Sequence, residues 1–131
     1  MAARQTVPDP RSFLPLTPLV SQVLLALAEA PRHGYGIILE VGERTGGLIT
    51  LRTGTLYMLL QRLVEQSLIE EADEHDRDVP ASDSSDQRRR YYRMTPLGRD
   101  VLAVEMRRLE TVVADARRTR VLGRATPGRP R

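Results

Sequence analysis

Apolar residues recur along this chain at helical spacing in four places and crowd into two short runs between them. Leu19, Val20, Val23, Leu24 and Leu27 form the first stripe, at the i, i+3, i+4 spacing of a helix with one buried face. Thr17 and Pro18 precede it, a cap followed by a proline whose missing N–H costs nothing in the first turn, and Pro31 ends it. A second, shorter helix is predicted from about Tyr35 to Thr45, with Ile37, Ile38 and Val41 inward and Gly46-Gly47 as its stop. After an apolar link from Leu48 to Leu51, the stripe Leu56, Leu59, Leu60, Leu63 and Val64 predicts a third helix, capped by Thr53 and ending near Gln66.

The two short runs, Leu68 to Asp73 and Arg88 to Met94, read as strands of one hairpin. Between them, at about 74–87, lies a polar, acidic connection far too long for a tight turn. Tyr91 and Tyr92 are strand neighbours, so one is expected to seal the core and the other to face out. Thr95 and Pro96 repeat the cap-and-proline pair and open about two dozen helical residues. Along them Leu102, Met106, Leu109, Val113 and Ala116 are spaced 4, 3, 4 and 3, the alternation of a coiled-coil seam, and such a stripe needs a partner surface.

Three helices followed by a hairpin is the element order of a winged helix-turn-helix. The fold class expected is therefore mostly α with a small β-hairpin, a winged helix-turn-helix domain plus a long C-terminal dimerisation helix. Residues 1–15, proline-rich and without periodicity, read as a disordered arm. The domain then occupies 16–94, the dimerisation helix 95–120, and a basic Gly, Pro and Arg tail 121–131.

Composition narrows the chemistry. With 131 residues there is room for one core plus appendages, and with aromatics at 4% that core rests on Leu, Val, Ile and Ala. There is no Cys and there are two His, which excludes disulfides and thiolate chemistry and leaves few zinc ligands. No apolar run approaches the roughly 20 residues of a membrane span, and the N-terminus lacks the apolar region of a signal peptide. A cytoplasmic setting is expected, with no membrane partner. All 20 basic residues are Arg; genomic base bias explains most of that, so what matters is where they cluster.

On a wheel at roughly 100° per residue, Thr55, Met58, Gln61, Arg62 and Glu65 lie outside the Leu stripe of the third helix and Tyr57 lies on its flank. Hydroxyls and Arg at the start of such a helix suit phosphate and base edges, although an ordinary amphipathic helix with a wet outer face shows the same pattern. Arg88, Arg89 and Arg90 at the start of the second strand are the basic cluster a wing can lay on the backbone or in the minor groove. The acidic connection, with Asp73, Glu74, Asp76, Asp78, Asp83 and Asp86, can neutralise them in the free protein. Glu74, His75, Asp76 and Asp78 match no calcium-loop spacing, and a solvated loop is the simpler reading. His33 is read as a cap or packing residue, and Tyr35 either as within reach of a backbone phosphate or, equally, as a half-buried structural tyrosine. No nucleophile, phosphate-loop or metal motif is present, so no enzyme activity and no cofactor are expected.

Three stretches, "HGYGI", "GTLYMLLQRLVEQSLI" and "RRYYRMTPLG", occur in the order and spacing of the PadR-like transcriptional regulators. That family's pattern resembles H-G-Y, then G-x-L-Y running through Leu-rich sequence to G-L-I, then R-R-x-Y-x-L-T-x-x-G, and the resemblance covers about residues 16 to 120. It implies a homodimeric, usually repressing regulator of double-stranded DNA, of the short branch with one C-terminal helix. By that similarity Thr53, Thr55 and Tyr57 open the recognition helix, Tyr35 sits on the helix before it and Arg88 to Arg90 on the wing. Ser67 departs from the family's Gly, Met58 from its usual Pro or polar residue, and the acidic wing connection is unusually long. Some short-branch members resemble drug sensors that sandwich flat ligands between Trp residues; this chain has no Trp, so a small-molecule effector stays open.

The function expected is sequence-specific DNA binding through Tyr35, Thr53, Thr55, Tyr57, Met58, Arg62 and the wing arginines, with Leu102, Met106, Leu109, Val113 and Ala116 joining two copies. A winged-helix module that docks protein through its acidic wing connection, and a ligand-sensing dimer with weak DNA selectivity, are the rival readings.

Overall fold

The computed structural model describes residues 8–72 and 90–123. Its elements are α1 (Pro18–Glu29), β1 (Arg32–His33), α2 (Gly34–Arg44), α3 (Thr53–Glu65), β2 (Ile69–Ala72), β3 (Tyr91–Met94) and α4 (Pro96–Arg118), preceded by a 3-10 turn at Pro10–Phe13. The chain is mostly helical, with a small antiparallel sheet, and is built as a winged helix.

Each helix starts where a side chain meets an otherwise unpaired N–H, with one exception. Thr17 accepts the Val20 N–H at 3.1 Å, His33 Nδ1 accepts that of Gly36 at 3.1 Å, and Thr95 accepts that of Gly98 at 3.0 Å. The exception is α3: the residue at its cap position is Arg52, Thr53 is already helical, and no side chain caps the first turn. Thr53 is thus not the cap that its residue type predicts.

The core lies where the helices meet the sheet. Val23, Leu24, Leu27, Ile37, Val41, Leu56, Leu60 and Leu63 are buried, joined by Leu68, Ile69, Tyr92, Met94, Val101 and Leu102. Burying a Leu side chain contributes about 2 kcal/mol, so Leu56, Leu60 and Leu63 together hold α3 firmly by its inner face.

The sheet has three strands in the order β1-β3-β2, not the simple hairpin expected. Arg32 pairs with Tyr92 and His33 with Tyr91 on one edge of β3; Ile69, Glu70, Glu71 and Ala72 pair with Met94, Arg93, Tyr92 and Tyr91 on the other. Two residues cannot display alternation, so β1 carries no strand signal of its own. Both tyrosines are buried, at 4% exposure each: Tyr92 joins the main core, while Tyr91 packs with Ala72 and takes the His33 ring edge-on at 5.3 Å. The expectation that one of them faces out fails because β3 is the central strand and both of its faces are covered.

Two further expectations change. The arm assigned to 1–15 ends in structure: the 3-10 turn at Pro10–Phe13 is capped by Asp9 and packs on α4, and Phe13 and Leu14 rest against the core. Residues 1–7, the wing connection with Arg88 and Arg89, and the tail from 124 lie outside the described residues. Of the coiled-coil stripe, Leu102 is 5% exposed and belongs to this domain's own core, and Met106 packs partly against it; Leu109, Val113 and Ala116 lie beyond that core. No helix among the described residues is long and apolar enough to cross a membrane.

Candidate nucleic-acid interface

The outer surface of α3 divides into two flanks. Thr55, Met58 and Arg62, at i, i+3 and i+7, face toward α1 and with Leu19 and Leu59 line a groove of about 260 Å³. Tyr57, Gln61 and Val64 face the other way and with Glu71, Arg90 and Tyr92 line a cleft of about 380 Å³ between α3 and the root of the wing. Met58 is 72% exposed and Tyr57 44%; Thr53, Thr55 and Arg62 are exposed as well. The residues read as one site therefore occupy two sides of the helix, joined at its uncapped N-terminus.

That N-terminus carries first-turn N–H groups with no side-chain acceptor, beside the exposed Arg52. Unpaired helix N–H groups and the helix dipole attract an anion. Sequence reasoning passes over Arg52 because Thr53 takes the cap role; the helix starts one residue earlier, which makes Arg52 its cap residue. Gln61, outward on the helix wheel, borders the cleft on the wing side.

Tyr35, on the first turn of α2, is 61% exposed. Arg90 stands just before β3, with its guanidinium 3.6 Å from the Glu71 carboxylate and both side chains more than half exposed. Burial, then the neighbouring Glu71 charge, pushes the Tyr92 hydroxyl above its ordinary pKa, against a hydrogen bond from Arg90. Arg90 is thus steered by a carboxylate and a phenol at the wing's root. Arg32 and Arg44 are committed to structure: Arg44 meets Glu40 at 2.9 Å and Glu29 at 3.4 Å, and Arg32 meets Glu29 at 3.0 Å and Glu40 at 3.5 Å, which ties α1 to α2.

The residues expected to join two copies stand apart from this surface. Met106 and Leu109 line a groove of about 460 Å³ against Leu16, Pro18, Gln22 and Leu25 of the α1 side, floored by Glu105. Val113 is 39% and Val112 49% exposed, so the stripe continues along α4 past the domain. Among the described residues no group of His, Cys, Asp or Glu is arranged to hold a metal ion.

Comparison with known proteins places this geometry. Residues 23–104 match the model of the transcriptional regulator PadR-like family. An uncharacterised protein of Lysinibacillus sphaericus is 35% identical over 86 residues, covering 65% of this chain and 72% of that protein. Among solved structures, a PadR family transcriptional regulator from Eggerthella lenta is 27% identical with a TM-score of 0.55, covering 88% of this chain and 87% of its own. A transcriptional regulator from Clostridium thermocellum has a TM-score of 0.61 over 82% of this chain and 90% of that one; at 22% identity it speaks for the fold alone. The chain belongs to the PadR-like family, whose members are DNA-binding transcriptional regulators and not enzymes.

Proposed function

We propose that this protein is a homodimeric, sequence-specific DNA-binding repressor of the cytoplasm, using α3 in the major groove and the arginines before β3 on the backbone or minor groove. The observation that carries the reading is the outer face of α3: an uncapped N-terminus with Thr53, Thr55, Met58 and Arg62 exposed beside it, on a helix held from behind by three buried Leu residues. A helix fixed this way offers its first turns to base edges while its N–H groups and nearby Arg take phosphate. Tyr35 on α2 and Arg90 on the wing side extend that contact along the backbone. Residues 16–94 act as the reading domain, and the free length of α4 joins two such domains on a two-fold site.

The test begins with a duplex that the wild-type protein enriches from a randomised pool. Thr55→Ala combined with Arg62→Ala is expected to lose that duplex, at about 1–3 kcal/mol per base contact, while the dimer and the helical content stay intact. Equal affinity and the same footprint in the double variant would show that this face does not read bases. Wild-type protein that shifts every duplex alike, and only at low salt, would leave phosphate attraction without specificity; no shift at all would favour a protein-docking role.

A further inference from the structure

The Gly of "HGY" and the Tyr of "GTLY" meet in space. A Cβ on Gly34 would sit 2.8 Å from Cζ of Tyr57 and closer still to its hydroxyl oxygen, which is nearer than real side-chain carbons approach. Gly34 is buried at the first position of α2, and its backbone is not in the left-handed region. What the position needs is space, and what fills the space is the Tyr57 ring.

The neighbours of Gly34 show why its own backbone does not yield, so that relief of a collision must come from Tyr57. His33 pairs with Tyr91 on β3, lays its ring edge-on against that tyrosine and caps α2 through the Gly36 N–H. The start of α2 is therefore fastened to the sheet. Helix α3 is held on its inner face by Leu56, Leu60 and Leu63, with Leu59 and Val64 packed partly beside them, and contacts off that face set its roll about the axis. At roughly 100° per residue, Tyr57 stands about a quarter-turn from Leu56, so its ring against α2 is a contact off the Leu stripe that resists roll. Counted the same way, Thr55 and Arg62 lie about 140–160° from Tyr57, on the opposite flank, where any roll displaces them most.

From these placements, and resting on the reading that α3 binds DNA, we propose that Tyr57 is a positioning residue. Its ring, seated in the space left by Gly34, sets the roll of α3 and hence where Thr55, Met58 and Arg62 meet the bases; its hydroxyl is not the operative group. The pair acts as one unit, since the ring takes the space that a side chain at position 34 would need.

The experiment uses the full chain and the duplex enriched by wild-type protein. Tyr57→Phe keeps the ring and is expected to bind within about twofold of wild type. Tyr57→Ala and Gly34→Ala are each expected to weaken binding about tenfold, the scale of one lost contact pair. Gly34→Ala in the Tyr57→Ala background should add no further loss, because the ring it collides with is gone. Thermal melts of all variants separate binding from unfolding, and the comparison of Phe with Ala at 57 stands even if Gly34→Ala does not fold. A Tyr57→Phe variant as weak as Tyr57→Ala would assign the effect to the hydroxyl and overturn the proposal while the DNA reading survives. So would an undiminished Gly34→Ala penalty in the double variant. Wild-type protein that enriches no duplex would remove both.

Discussion

The carboxylate of Glu105 accepts the backbone N–H of Leu16 at 3.2 Å, while Arg108 grips the same group through both oxygens, at 2.7 and 2.9 Å. Glu105 is 1% exposed. A buried carboxylate persists only where such partners replace its water, and here they fasten the entry of α1 to the helix that continues into the proposed dimer surface.

This pair makes stability depend on acid. The Arg108 hydrogen bonds first, and the Leu16 N–H after the opposing effect of burial, hold the Glu105 carboxyl below its ordinary pKa. The folded state therefore takes up that proton at lower pH than the unfolded chain. The group's contribution is complete above the unfolded pKa and is lost as pH falls through the depressed folded value. Denaturant midpoints of wild type should decline below about pH 5 more steeply than those of Glu105→Gln, which starts less stable. Parallel declines would remove the assignment.

Gly98→Ala should be severely destabilising. A Cβ there would collide with the Leu68 carbonyl and lie 2.9 Å from Met94 Cγ, and the Leu68 oxygen cannot retreat because it accepts the Thr95 N–H at 3.1 Å. The expected loss is about 3 kcal/mol, read from urea unfolding followed by circular dichroism. A variant that unfolds at the wild-type midpoint would contradict this close approach.

Ser67→Gly should do the opposite. Ser67 holds φ at 64°, closing α3 so that the Leu68 N–H reaches the Leu63 carbonyl at 3.0 Å. A side chain in that region is strained by about 1–2 kcal/mol, partly offset by glycine's greater freedom when unfolded. A net gain of about 0.5–1 kcal/mol is expected, as a higher denaturant midpoint with an unchanged slope.

Leu109→Glu should yield monomers in sedimentation velocity while the domain keeps its melting cooperativity. Leu109 is half-buried at the edge of the α1 groove and contributes little to the domain's own core. A charge in a helix seam is costly only where a second helix covers it. An undiminished dimer would move the interface off this stripe.

Glu71→Gln should tighten DNA binding a few-fold at low salt and leave sequence preference unchanged. The carboxylate lies 3.6 Å from Arg90 and competes with phosphate for it. Both groups are solvent-exposed, so the gain should fade as salt screens it. Weaker binding in the variant would mean that Glu71 holds Arg90 in its working position.

Periodicity and punctuation made the helices readable in advance. The Thr-Pro pairs at 17–18 and 95–96 start α1 and α4 as their chemistry requires, and the Leu stripe of α3 points inward as its spacing says. What stayed hidden depends on partners far away in sequence. Glu105 sits in a run of charges beside its i,i+3 partner Arg108, but nothing local announces its burial or the distant Leu16 N–H that it accepts. Leu102 fits the seam by spacing, yet spacing does not say whether a stripe meets its own domain or another copy. β1 is too short to have a pattern. For the candidate site, the exposed face of α3 was legible, but its division into two flanks was not, since the flank of Tyr57 is defined by the absence of a side chain at Gly34.

The pairing of β1 with β3 also bears on how this protein can be rebuilt. Tyr91 is held from one edge by His33 and from the other by Ala72, so both stems of the wing are clamped whatever the length of chain between them. Loop closure grows costlier only slowly with length, by about 0.6 kcal/mol per doubling. The junction between Ala72 and Tyr91 is therefore a port: a foreign epitope or a reporter peptide grafted there is carried beside the proposed DNA surface while the helices behind it keep their seats.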